Sequence, residues 1–197
     1  MMEDTFYVFD LDGTLTDTDK NHYNAYKKAG LDMEWSEFET RINTNELYVT
    51  EEMRSRKNEL LKDETVKFIP GAEDFLMKVK NHVVVTNSTR AVVDSFIKQL
   101  PLLGKLNILT REDYENAKPS PDGYNSGIQR YYKNEKYIVG FENTIIGYES
   151  IKHVTQHVYI VTHEDSPCHA QLRDKDVHFI QDYKCFHVPW DTLSQKK

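Results

Sequence analysis

Two carboxylates one residue apart, in Asp10-Leu11-Asp12-Gly13-Thr14, are the groups of this chain best arranged for chemistry. An ionised carboxylate can attack phosphorus and form an aspartyl-phosphate. A second carboxylate beside it can protonate the leaving oxygen and then deprotonate water. Two acids this close also need a cation, most simply Mg²⁺. Gly13 permits the sharp turn that lets both approach one centre. The same residues would suit a plain turn or a loose calcium loop, but the later acidic ligands of an EF-hand loop are missing.

Something must hold those acids in place. Phe6-Tyr7-Val8-Phe9 reads as a buried strand ending at Asp10, so the acids fall at its carboxyl end, where open α/β sheets place their sites. Further short apolar runs read as strands at Val83–Val85, Leu106–Leu109, Tyr137–Val139, Val158–Val161 and, more weakly, Val177–Ile180. Helical patterns lie between them, over Thr89–Leu100, after Ser120-Pro121, and over Thr144–Val154. Strands alternating with helices imply an α/β fold, a Rossmann-like parallel sheet covered on both faces. From about Thr18 to Phe68 only helices are expected. Asp19–Ala29 stops at Gly30, Ser36 has capping-box spacing, and Thr50 opens Glu51–Lys62. The expected division is a core of 1–17 and 69–197 with an inserted helical cap of 18–68.

The chain has 197 residues, 25 Lys+Arg against 32 Asp+Glu, and a formal net charge of -7. That charge disfavours nucleic acid but not a small anion meeting a local cation. Two cysteines, Cys168 and Cys185, do not make a disulfide scaffold. With His163, His169 and His187 they fit no compact zinc spacing. The first residues lack a basic segment followed by a long apolar run, and no stretch is long enough to span a membrane. The expectation is a cytoplasmic protein, a monomer or weak homodimer, with no membrane or nucleic-acid partner.

Phe9-Asp10-Leu11-Asp12-Gly13-Thr14-Leu15 resembles motif one of the haloacid dehalogenase superfamily, and the position of the insertion resembles its β-phosphoglucomutase-like branch. The resemblance runs over about residues 5–165. It implies that Asp10 is the nucleophile and Asp12 the general acid/base. Val85-Thr86-Asn87-Ser88 resembles motif two, implying that Thr86 and Asn87 bind the transferring phosphoryl group. Lys118-Pro119-Ser120-Pro121-Asp122-Gly123-Tyr124 resembles motif three, implying that Lys118 neutralises the phosphoryl oxygens and the nucleophile. Mg²⁺ would be held by Asp10, the Asp12 backbone carbonyl and the pair Glu142-Asn143.

That last pair departs from the pattern, because the family usually has two acids there and Asn143 brings no negative charge. Weaker metal binding or a compensating ligand is expected, and Asn143 is equally suited to cap the helix at Thr144. Asp17, His22 and Ala25 resemble the branch's Asp-x4-His-x2-Ala pattern, which places His22 at the cap–core boundary. Arg54-Ser55-Arg56-Lys57 reads first as a solvated helix face and second as a means of recognising an anionic substrate. The expected activity is Mg²⁺-dependent hydrolysis of a small phosphomonoester. The alternatives are a phosphosugar mutase, or a weakened relative used for binding or regulation.

Overall fold

The computed structural model describes residues 4–44, 46–184 and 186. Its centre is β1 (Thr5–Phe9), every residue of which is buried. Alternation sends Tyr7 and Phe9 into one core cluster and Phe6 and Val8 into the other, so both faces of the sheet are covered. Full burial of side chains such as Phe6 and Phe9 contributes roughly 1.5–3 kcal/mol each. Flanking β1 are β2 (His82–Val85) and β4 (Tyr137–Glu142), with β3 (Ile108–Leu109), β5 (His157–Val161) and β6 (His178–Ile180) outside them. The described residues form a six-stranded, all-parallel sheet in the order β3-β2-β1-β4-β5-β6. Strand order reverses between β1 and β4, which opens a crevice at their carboxyl ends.

Between β1 and β2 lie α1 (Asp19–Lys28), α2 (Trp35–Asn43), α3 (Glu51–Leu61) and the short α4 (Ala72–Leu76). The first two join through an aromatic group in which Tyr23, Tyr26 and Trp35 surround Phe38 at centroid distances of 5.3, 5.8 and 5.9 Å. The chain leaves and returns to the sheet side by side. Asp17 N donates to Lys67 O and Ile69 N to Leu15 O, both at 2.9 Å. Completing the fold are α5 (Arg90–Gln99), α6 (Asp122–Tyr131), α7 (Ile145–Ile151) and α8 (Pro167–Leu172).

Several local expectations need correction. Ser36 does not cap α2: the helix starts at Trp35, with Glu34 before it and no side-chain cap. Helix α6 begins one residue later than Ser120-Pro121 suggested, and Ser120 Oγ accepts from Asp122 N at 3.3 Å. Asn143 does not cap α7, because Thr144 does, accepting from Gly147 N at 3.0 Å. The third strand keeps only Ile108 and Leu109 of the expected four residues. Neither α4 nor α8 was expected, since each is too short to show a helical period. Beyond β6, Tyr183 is buried against Phe75, and Phe186 packs on Phe75 and Phe141. Pro189 and Trp190 lie outside the described residues.

Candidate active site

The chain turns sharply as it leaves β1. Gly13 has φ +74°, and a Cβ there would lie 2.0 Å from Asn143 Nδ2 and 2.3 Å from Asp19 Oδ1, so glycine is required. Asp10 and Asp12 enter a cavity of about 620 Å³, which Thr86, Asn87, Lys118 and Asn143 also line from the sheet side. Helices α1–α3 supply its other wall, including Asp19, His22, Trp35, Phe38 and Lys57.

Asp10 is buried, and its Oδ1 accepts from Lys118 Nζ at 2.6 Å. The same ammonium donates to Glu142 Oε1 at 2.6 Å. Burial pushes the Asp10 carboxyl well up, Lys118 opposes the rise, and Glu142 and Asp12 add to it. For Lys118, burial works against the charged form, but Asp10 and Glu142 outweigh it and hold the ammonium protonated. Two carboxyl groups thus share one ammonium. Asp10 Oδ2 is buried with no hydrogen-bond partner among the described residues.

Glu142 is fully engaged. Its Oε1 also accepts from Tyr124 OH at 2.6 Å, and its Oε2 accepts from Asn143 N at 3.1 Å. The carboxylate lies on the first turn of α7, where a Cβ on Gly147 would fall 1.9 Å from it. It is not among the described residues that line the cavity. The oxygens of Glu142, expected among the metal ligands, here hold Lys118, Tyr124 and the Asn143 backbone.

The Asp12 carboxylate is gripped from two sides. Oδ1 accepts from Thr18 Oγ1 at 3.1 Å and lies 2.9 Å from His22 Nε2. Oδ2 accepts from Thr86 Oγ1 at 2.9 Å and Ser88 Oγ at 2.8 Å. Burial alone would raise this carboxyl, but the His22 charge and the bonds from His22, Ser88 and Thr86 hold it well below the usual range. Thr86 is therefore bonded to Asp12 while it lines the cavity. Asn87 Oδ1 accepts from Lys118 N at 3.1 Å and Tyr114 OH at 3.0 Å, tying the loop after β2 to the Lys118 segment.

The residues present fit a hard cation. Among the described residues no three Asp, Glu, His or Cys side chains are grouped to cage a metal by themselves. The remaining donors are oxygens of mixed type: the unpartnered Asp10 Oδ2, the Asn143 amide oxygen and the Asp12 carbonyl. Such a set suits Mg²⁺. Asn143 Oδ1 is only loosely engaged, accepting from Thr14 Oγ1 at 3.4 Å.

Some residues of this site escaped the sequence reading. Asn143 Nδ2 donates to both oxygens of Asp19, at 3.3 and 3.4 Å. Solvent reaches Asp19 through the cavity, yet the protein packed around it raises its carboxyl to about 6; His22 opposes this, and Asp12 and Asp17 add to it. The three-residue spacing from Asp19 to His22 puts both on one face of α1, a signal available in the sequence. Arg54, Ser55 and Arg56 are exposed as a solvated basic face requires, but Lys57 departs from it, being 7% exposed and lining the cavity. No pattern marks it, since a lysine on an amphipathic helix is assigned to water by default. The zinc candidates do not assemble among the described residues. Cys168 is a buried free thiol pushed up to about 12 by burial, His169 packs on Phe179, and His163 faces Glu39 at 3.9 Å. Cys185 and His187 lie outside the described residues.

A parallel sheet with paired acids, a shared lysine and a site at the strand-order reversal can now be compared with known proteins. Residues 6–155 match the family model of haloacid dehalogenase-like hydrolases. The chain belongs to that family. No curated protein sequence matches it significantly. Among solved structures, a Lactobacillus plantarum protein provisionally described as a phosphoglycolate phosphatase superposes with TM-score 0.76 at 13% identity, covering 96% of this chain and 97% of that one. CbbY from Rhodobacter sphaeroides, solved with phosphate, gives 0.72 at 15% identity, with 91% and 94% covered. A β-phosphoglucomutase from Clostridium difficile gives 0.64 at 18%, with 95% of each chain covered. At these identities the structural likeness is one of fold. No helix of the described residues is long and apolar enough to cross a membrane.

Proposed function

We propose that this haloacid dehalogenase-like hydrolase is a Mg²⁺-dependent phosphatase that hydrolyses a small phosphomonoester through an aspartyl-phosphate on Asp10. The observation that carries the reading is the Asp10–Lys118–Glu142 chain beside an independently held Asp12, all at the carboxyl ends of β1 and β4. Bound Mg²⁺ would be held by Asp10 Oδ2, the Asp12 carbonyl and Asn143, and would neutralise phosphoryl charge and keep Asp10 ionised.

In the first half-reaction Asp10 attacks phosphorus in line and the ester oxygen departs. Lys118, held charged between two carboxylates, offsets the charge on the phosphoryl oxygens. Asp12 passes a proton to the leaving oxygen, and His22 Nε2, 2.9 Å from Asp12 Oδ1, orients that carboxyl. In the second half-reaction the ionised Asp12 takes a proton from the water that attacks the aspartyl-phosphate. Thr86 holds Asp12 in line for both steps. Helices α1–α3 act as a cap over residues 18–68, walling the cavity against bulk water. The working form is taken to be a cytoplasmic monomer or weak homodimer, with a surface of net charge -7 that disfavours nucleic acid.

The test is a phosphate-release screen over many phosphomonoesters with and without Mg²⁺, with Asp10→Asn as control. Release by the wild-type protein that Asp10→Asn abolishes supports the reading. Undiminished release by the variant refutes the nucleophile. Isomerisation of a sugar phosphate without phosphate release would favour a mutase on the same residues.

A further inference from the structure

Position 143 carries an amide where charge would help hold a divalent cation, and a carboxylate from another element stands directly against it. Asn143 Nδ2 donates to Asp19 Oδ1 and Oδ2 at 3.3 and 3.4 Å. Both side chains crowd the same Gly13 turn, one on each side of where a Cβ would lie. Asp19 opens α1, so it comes from the inserted helices, while Asn143 follows β4 in the sheet. The two residues line one cavity with Asp10, whose Oδ2 is buried and unpartnered among the described residues. Asp10 itself is 6% exposed.

We infer that Asp19 supplies from α1 the negative charge that Asn143 lacks, so that Asp19 and Asn143 act as one singly charged unit of the Mg²⁺ site. This rests on the reading of the cavity as a metal-dependent hydrolytic site. The physical reason is complementarity. An amide at 143 can donate to Asp19 and still offer its oxygen, whereas an aspartate there would set two carboxylates at hydrogen-bonding distance with no donor between them. Neutral Asn143 and anionic Asp19 together leave the site the charge that a single carboxylate at 143 would give. The arrangement also ties the metal site to the cap, because one of its charges moves with α1.

The experiment measures Mg²⁺ binding to the intact protein by calorimetry, with Tb³⁺ luminescence as an independent probe, in the absence of substrate. Four proteins are compared: wild type, Asp19→Asn, Asn143→Asp, and the exchange Asp19→Asn with Asn143→Asp. Supporting changes in partner residues of metal sites commonly alter affinity 10–100-fold. The expected result is a loss of tenfold or more in Asp19→Asn, with affinity in the exchange variant returning to within about threefold of wild type. Thermal melting without metal confirms that each variant is folded. Since the exchange conserves composition and nearly conserves shape, its recovery guards against a trivial folding defect. Two results overturn the inference while leaving the metal reading intact: Asp19→Asn binding Mg²⁺ as wild type does, or the same loss whether residue 143 is Asn or Asp. Absence of Mg²⁺ binding by the wild type overturns both.

Discussion

Lys57 offers a measurement that isolates one buried charge. It lies in α3, is 7% exposed, and has no carboxylate within ion-pair distance among the described residues. Its Nζ sits 5.2 Å from the centroid of the Tyr26 ring. Burial pulls its pKa down from 10.5 to about 8; the Asp12 charge opposes this and Arg54 adds to it. In the unfolded chain the ordinary value of 10.5 returns. Between pH 8 and 10.5 the unfolded state therefore binds the extra proton, and stability rises with pH. Below pH 8 both states are protonated and the cost of burying the ammonium is fully present. At 1.36 kcal/mol per pH unit, the interval from about 8 to 10.5 corresponds to roughly 3 kcal/mol. Lys57→Met removes the ionisable group and keeps the aliphatic stem. Urea unfolding of both proteins, followed by tryptophan fluorescence from pH 7 to 10.5, gives the test. The variant should be the more stable at pH 7, by up to roughly 3 kcal/mol, and the difference should shrink as pH rises through that window. Parallel curves for the two proteins would refute the burial argument. Inorganic phosphate at the cavity should reduce the variant's advantage by favouring the charged lysine.

Two further changes probe the catalytic residues. Lys118→Ala leaves the Asp10 and Glu142 carboxylates buried without their ammonium, and should cost about 3–5 kcal/mol in urea unfolding along with turnover. Adding Glu142→Gln should recover stability but not turnover, and full activity in either variant would remove Lys118 from the reaction. His22→Gln takes away the main opposite charge that depresses the Asp12 carboxyl, so that carboxyl should rise toward the ordinary range. The second half-reaction, which needs the Asp12 carboxylate as base, should then slow at acid pH, so the acid limb of kcat for phosphate release should move to higher pH by at least about one unit; an unmoved limb would refute the coupling.

The sequence by itself determined the frame of this protein. The apolar run Phe6–Phe9 of β1 had to be a central strand buried on both faces, and the turn residues after it had to put Asp10 and Asp12 at its carboxyl end. The interval without strand patterns had to be helical, and α1–α3 fill it. The parallel α/β sheet and the family were legible for the same reason: each follows from local pattern and from motifs read within a few residues. Capping was less legible. Ser36, Asn143 and Thr144 each carry a side chain able to cap, and only the path of the chain selects which one does.

Contacts between distant segments belonged to the tertiary structure alone. Glu142 ends β4, and its carboxylate reaches Lys118, Tyr124 and the first turn of α7 at Gly147. Lys57 has the pattern of a solvated residue, but the packing of α3 against α1 encloses it. Asp19 meets Asn143 across 124 positions of sequence. A single sequence reports periodicity and local spacing, whereas charge neutralisation in a buried site is settled by which side chains come within a few ångströms once the sheet and the inserted helices have packed.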